Sequence, residues 1–248
     1  MSGRPAAESV LVISGTGTGI GKTVTTAAIA ALAAGRGGRV AVVKPAQTGV
    51  APGDPGDCGD VRRLTGAVTA RELTRYPDPL APATAARRAG APPVTLDQVT
   101  AAVKPLAAAH DLVLIEGAGG LLTWFDDDGM TLADVASALA APVLLVTGAA
   151  LGTLNATALA AEALARRRIA CPGLVIGRWP AEPDLAARCN VTDLPRVSGL
   201  PLLGALPESM GGLARPEFHA AARAGLAPAL GGEFDPGAFT AATAAPPP

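Results

Sequence analysis

Apolar positions along this chain fall into two rhythms. Short, nearly uninterrupted apolar runs occur at Ser9–Ser14, Arg39–Val43, Leu112–Ile115, Val143–Thr147, Gly173–Ile176 and, more briefly, Leu202–Gly204. Between them lie longer stretches of helical character: Lys22–Ala34, Thr95–Ala109, Thr131–Leu139, Thr153–Arg168 and Glu182–Asn190. A strand with one wet face would alternate apolar and polar residues. Runs apolar on both faces therefore predict a mostly parallel sheet flanked by helices. The strand–helix alternation predicts a doubly wound α/β architecture, read as a single domain over residues 1–230. In such sheets ligands bind beyond the carboxyl ends of the strands. Two segments break the rhythm. Gly49–Gly59 is rich in Gly, Pro and Asp and predicts a mobile loop. Residues 231–248 end in Ala, Thr and Pro and predict a disordered tail. No internal repeat is visible.

The first strand carries the strongest chemical signal. It runs into Gly15-Thr16-Gly17-Thr18-Gly19-Ile20-Gly21-Lys22-Thr23, which opens a helix of small apolar residues. Strand, Gly-rich loop, Lys-Thr and helix in that order form a phosphate cradle of the P-loop NTPase kind. Glycines let backbone N–H groups approach phosphate oxygens, and the helix start adds partial positive charge. Lys22 can reach the β/γ-phosphates, and Thr23 can offer its hydroxyl to Mg²⁺. The general pattern wants glycine where Thr16 stands; Gly15 lies one residue further back, so the loop carries one extra residue.

Further candidates sit at other strand ends. Lys44-Pro45-Ala46-Gln47-Thr48-Gly49 leaves the second strand, and a lysine there points into the same crevice as the loop. Glu116 ends an apolar strand and precedes Gly117-Ala118-Gly119-Gly120. An unpaired buried carboxylate is costly, so Glu116 calls for a metal or lysine partner. Asp57 and Asp60 follow the irregular loop, and either could complete a site of hard oxygen ligands for Mg²⁺. Gly152-Thr153-Leu154-Asn155 opens a long helix whose free N–H groups suit a carboxylate. Asp126-Asp127-Asp128-Gly129 lacks the spaced ligands of a calcium loop and is read as a solvated turn.

Composition narrows the partners. The 248 residues are 49% hydrophobic and 17% charged, which suffices for a sizeable core; aromatics are only 3%, so Ala, Val, Leu and Ile must fill it. Net charge is −1 and the isoelectric point is near 6.1. No basic excess marks a nucleic-acid or anionic membrane partner. No apolar run reaches the roughly 20 residues that span a bilayer, and Met1–Glu8 is too short and polar to be read as a signal peptide. Cys58, Cys171 and Cys189 show no ligand spacing, which suits a reducing, cytoplasmic setting. His110 and His219 are read as ordinary surface residues.

Taken together, these segments resemble the dethiobiotin synthetase family of ligases in biotin biosynthesis. The resemblance rests on Gly15–Thr23, Lys44–Gly49, Asp60, Val113–Gly120 and Gly152–Asn155, and its order and spacing cover about residues 9–210. The extended phosphate loop is the form this family carries. The resemblance implies that 7,8-diaminopelargonate takes up CO₂ as a carbamate. The carbamate attacks the γ-phosphate of ATP, and the second amine closes the ring, forming C–N bonds and releasing phosphate. By matching position it implies Lys44, Lys22 and Thr18 as catalytic. It implies Gly17, Thr18, Gly19, Ile20, Gly21, Lys22, Thr23, Gly177, Arg178 and Pro207 at the nucleotide. Thr23, Asp60 and Glu116 would hold Mg²⁺. Asp60 is preferred to Asp57 because Val61–Leu64 continues from it as a helix. Lys44, Thr48, Gly119, Gly152, Thr153, Leu154 and Asn155 would bind the substrate. The last four would come from the second subunit of a homodimer.

This chain departs from the family pattern twice. Gly19 stands where an acidic residue is often found. Gly177-Arg178-Trp179-Pro180 stands where Asn-Asp often reads the base, which predicts relaxed choice among ATP, CTP and GTP. Two rivals share the phosphate loop. Partition ATPases place an extra lysine near the loop start, where this chain has Gly17. Amidating enzymes of cobalamin synthesis carry a further glutaminase domain, for which this chain is too short.

Overall fold

Seven strands build one sheet in the order β3-β2-β4-β1-β5-β6-β7. They are β1 Val10–Gly15, β2 Val40–Thr48, β3 Thr69–Tyr76, β4 Leu112–Glu116, β5 Val143–Thr147, β6 Leu174–Trp179 and β7 Leu202–Pro207. Every ladder between them is parallel. The computed structural model describes residues 9–245. Residues 1–8, including the start read as no signal peptide, and 246–248, the end of the expected tail, lie outside the described residues.

The helices are α1 Lys22–Gly35, α2 Gly56–Thr65, α3 Pro82–Ala89, α4 Leu96–Ala109, α5 Leu132–Ala138, α6 Thr153–Arg166, α7 Leu185–Ser198, α8 Arg215–Gly225 and α9 Pro236–Thr243. Side chains alternate across the sheet. Val12, Val43 and Ile115 therefore face one core, with Val99 and Val103 of α4 and Leu132 of α5. Ile13, Val42 and Leu114 face the other, with Ala27 and Ala31 of α1, Val61 of α2 and Phe218 of α8. A third cluster joins Leu174 and Ile176 to Val191 and Leu194 of α7 and to Phe234. No helix among the described residues is long and apolar enough to cross a membrane.

Two helix starts follow from local chemistry. The Thr95 hydroxyl accepts from the Gln98 N–H at 3.2 Å, and the Gln98 side chain accepts from the Thr95 N–H at 3.0 Å. This reciprocal cap fixes α4 where the sequence predicts it. Asp184 accepts from the Ala187 N–H at 2.8 Å and starts α7 later than expected; that helix then runs through Pro195 to Ser198.

Three expectations are corrected. The polar segment Thr69–Tyr76 forms β3, an edge strand whose Arg71, Glu72 and Arg75 hid it from an apolar pattern. The Gly49–Gly59 segment expected to be mobile is fastened. The Gly49 N–H bonds to the Tyr76 and Asp78 carbonyls, Arg75 donates to the Ala51 and Asp54 carbonyls, and α2 begins within the segment, at Gly56. The expected disordered tail contains α9. Its Asp235 accepts from the Gly237 and Ala238 N–H groups, Pro236 takes the first turn, and Phe234 is buried.

Candidate active site

The carboxyl ends of β1, β2 and β4 open onto a crevice of about 810 Å³. Its floor is the loop between β1 and α1. Gly19 (φ 72°) and Gly21 (φ 96°) hold left-handed conformations there, which favour glycine. Gly21 also abuts β6: a Cβ on it would lie 2.2 Å from the Gly177 carbonyl oxygen. No acidic residue occupies the first turn of α1, so its N-terminal field is free to act on an anion.

Four ionisable groups converge above this loop. The Lys44 ammonium, 4% exposed, lies 2.9 Å from Glu116 Oε1, 2.9 Å from the Gly117 carbonyl and 2.5 Å from Asp57 Oδ2. The Thr23 hydroxyl donates to Glu116 Oε1 at 2.7 Å, and Lys22 donates to the Gly17 carbonyl at 2.7 Å. Glu116 Oε2 is buried and has no hydrogen-bond partner. Burial and the adjacent Lys44 lower the Lys22 pKa to about 8. Burial works against the Lys44 charge, but Glu116 and Asp57 together raise its pKa above the usual lysine value. Burial, helped by the charge of Asp57, raises the pKa of Glu116. Burial works against the Asp57 charge as well, yet Lys44 holds that carboxyl below the usual range.

The geometry separates the two candidate aspartates. Asp57 is in the first turn of α2, and its N–H bonds to the buried Gln47 side chain at 2.8 Å. Gln47 thus pins the start of α2 so that Asp57 faces Lys44. Asp60, one helical turn on, is half exposed and ion-paired to Arg63 at 3.0 Å, away from the crevice. The preference for Asp60 is corrected: the helix does continue, but its first turn, not its second, faces the crevice.

Thr18, Gly19, Gly21, Lys22, Thr23, Lys44, Thr48, Glu116, Gly119 and Arg178 line the crevice together. Gly17 contributes its carbonyl to Lys22, and Ile20 packs into the core beside α1. Arg178 donates to the Gly19 carbonyl at 3.0 Å. Gly177 touches the loop through its backbone. Pro207 ends β7 opposite Trp179 and is exposed; its successors Glu208 and Ser209 reach the crevice. Gly152, Thr153, Leu154 and Asn155 do not line it. They start α6, where Thr153 is buried, its hydroxyl bonded to the Gly148 carbonyl and to Thr147. Leu151, just before them, is 90% exposed. Sequence reasoning missed Gln47, Glu208 and Ser209. It also missed the turn Pro79–Pro82, which forms part of the crevice wall. Their only signal was position beside a strand end.

The donor set suits a hard divalent cation. A hydroxyl, a carboxylate oxygen without a partner and a second carboxylate lie beside a cradle for phosphate.

Comparison with known proteins places this geometry. A family described as an AAA domain matches residues 9–211. The chain is 66% identical over 227 residues to the ATP-dependent dethiobiotin synthetase BioD of Saccharopolyspora erythraea, covering 91% of this chain and 99% of that protein. It is 60% identical to the protein of that name from Streptomyces avermitilis, covering 94% and 98%. Among solved structures it resembles the cell division ATPase MinD of Pyrococcus furiosus, with a TM-score of 0.58 at 20% identity over 87% of this chain and 95% of that one. It also resembles a ParA family ATPase from Chlorobium tepidum, with a TM-score of 0.56 at 15% identity over 87% and 92%. At these identities the structural likenesses establish the fold alone.

Proposed function

The chain belongs to the ATP-dependent dethiobiotin synthetase family, and from that premise we propose how its crevice carries out the reaction. It is an ATP-using ligase that forms C–N bonds in biotin biosynthesis. It carboxylates 7,8-diaminopelargonate with CO₂ and closes the ring to dethiobiotin, releasing ADP and phosphate. The observation that carries the reading is the group of buried Lys22, Lys44 and Glu116 with half-buried Asp57 beside the phosphate loop.

The reaction concentrates negative charge. One amine of the diamine bonds to CO₂ and loses a proton, giving a carbamate anion. A carbamate oxygen attacks the γ-phosphorus as the bond to ADP breaks. The second amine then attacks the carbamate carbon and gives up a proton, taken by the departing phosphate or by solvent, and phosphate leaves with the pair of electrons from the C–O bond. Two ammonium groups near the transferred phosphoryl offset this charge. Lys44 is held charged by its carboxylates and faces the carbamate. Lys22 exchanges the Gly17 carbonyl for a phosphate oxygen. Thr18 and Thr48 donate to carbamate or phosphate oxygens, and Gly119 lets the substrate approach the backbone. Gly17–Thr23 and Arg178 bound the triphosphate, while Gly177 and Pro207 flank the base.

Mg²⁺ would be held by Thr23, Asp57 and Glu116 together with phosphate oxygens, and it supplies neutralisation of the charge on those phosphates. The start of α6, Gly152–Asn155, would receive the substrate carboxylate in the crevice of a second subunit. Its separation from the crevice of its own chain and the exposure of Leu151 support that homodimer. A cytoplasmic setting fits the free cysteines. With no Asn at Gly177–Pro180, the base side should accept CTP and GTP as well as ATP.

The test measures dethiobiotin by mass and phosphate release together, with bicarbonate and each Mg-triphosphate, with and without the diamine. Diamine-dependent release matched by dethiobiotin is expected. Release without the diamine, or stimulated by DNA or lipid, would contradict the reading. Turnover with ATP alone would remove the relaxed nucleotide choice.

A further inference from the structure

We propose that α9 positions the nucleotide side of the crevice, through Phe239 acting on Trp179. This rests on the reading that the crevice holds a nucleoside triphosphate. Phe239 meets Trp179 edge-on, with ring centroids 5.1 Å apart and planes at 73°. Phe239 is itself braced by the buried Phe234, again at 5.1 Å. Trp179 ends β6, and its carbonyl accepts from the Glu208 N–H at 2.9 Å, joining β6 to a segment that lines the crevice. The two residues before Trp179 grip the phosphate loop. Arg178 donates to the Gly19 carbonyl at 3.0 Å. Gly177 packs so closely that a Cβ on it would lie 2.3 Å from the Ile20 carbonyl oxygen.

An unbroken run of contacts thus leads from α9 to the loop that cradles phosphate. The β6–β7 register is irregular between Ile176 and Trp179, so the strand end is aimed by what packs on it as well as by its Glu208 bond. Here that is a ring on a ring, a contact specific in angle as well as area. Phe239 touches no reacting atom. Its part is to fix where Arg178 and the loop glycines stand before the triphosphate arrives. Preorganisation of this kind acts on nucleotide binding more than on the chemical step.

The experiment uses the full chain. Mg-ATP affinity is measured by titration calorimetry, and KM and kcat are measured with each substrate varied in turn. The set is wild type, Phe239→Ala, Phe239→Leu, Phe239→Tyr and, as a control for stability alone, Val99→Ala of α4, in a core cluster to which neither Phe239 nor Trp179 belongs. Phe239→Ala is expected to raise both Kd and KM for ATP roughly three- to tenfold. Its kcat and the KM for the diamine should stay within about twofold. Phe239→Tyr should restore wild-type constants, and Val99→Ala should lower the melting temperature without moving them. Unchanged ATP constants in folded Phe239→Ala, or an equal shift in Val99→Ala, would overturn the proposal. If Phe239→Ala does not fold, Phe239→Leu keeps the apolar bulk, lacks the ring and is read by the same criteria. A wild type that binds ATP without making dethiobiotin would reject the substrate reading, while calorimetry would still decide the role of α9.

Discussion

Lys44 stands where β2 runs on past its ladder with β4, and Leu151 stands just beyond the end of β5, yet Lys44 is 4% exposed and Leu151 is 90%. Lys44 ends in a buried net of two carboxylates and a carbonyl, with Lys22 and Thr23 alongside. Leu151 precedes a helix start where the Thr153 hydroxyl bonds within its own chain and which does not line the 810 Å³ crevice. The charge net of the first region is made within a single chain. Under the proposed function, the second region is an element that a second subunit's crevice would use. A buried charge net must be built entirely from local partners, because an unpartnered charge there is costly. An exposed helix start carries no such demand and can wait for a second subunit.

The largest effect should come from breaking the first region. Lys44→Gln leaves two carboxylates facing a neutral amide. Turnover should fall about a thousandfold or more, while circular dichroism still reports a folded chain. Near-normal turnover would remove Lys44 from the mechanism. The edge of that region is sharpened by its two aspartates. Asp57→Asn should cost on the order of a hundredfold in turnover and weaken Mg²⁺ activation. Asp60→Asn, on the solvent side of the same helix, should stay within about twofold. The reverse ranking would restore the sequence-based preference.

The second region is broken from the surface. Leu151→Asp should halve the mass seen by light scattering and lower turnover roughly tenfold, with ATP affinity nearly unchanged. A wild type that is already monomeric would sink this half of the comparison. The smallest effect is a titration inside the crevice. The Lys22 pKa is lowered to about 8, so its charge is present below that pH and lost above it. A triphosphate needs the charged form, so KM for ATP should climb by up to about tenfold per pH unit above 8. Lys22→Arg, which stays charged, should abolish the inflection.

Much of the first region was legible before any coordinates. Gly15–Thr23 declares its chemistry by residue type, and Lys44 and Glu116 end apolar runs whose parallel pairing was readable from burial on both faces. The sequence favoured Asp60 over Asp57, and the geometry reverses that order. The choice depends on the phase of α2, which Gln47 sets from a different strand through a long-range hydrogen bond. β3 was hidden because an edge strand tolerates the charges that a buried strand excludes. α9 was missed although Asp235-Pro236 spells a helix start, because Ala, Thr and Pro around it read as tail; Phe234 and Phe239 reveal their purpose only once Trp179 is in place. The start of α6 was marked by motif, but it does not line the crevice of its own chain, and its proposed place in a second subunit's crevice is a matter of assembly, which no single chain encodes locally.

The most direct test of the account mixes two inactive variants. Lys44→Gln breaks the crevice and leaves the α6 start intact. Asn155→Asp sets a negative charge on that exposed start, where it would repel the substrate carboxylate. Dimers exchanged at equal ratio should regain about a quarter of the wild-type rate, because half are mixed and each mixed dimer holds one intact site. No regained activity, in a preparation shown by mass spectrometry to contain mixed dimers, would contradict the claim that a site is shared between two chains.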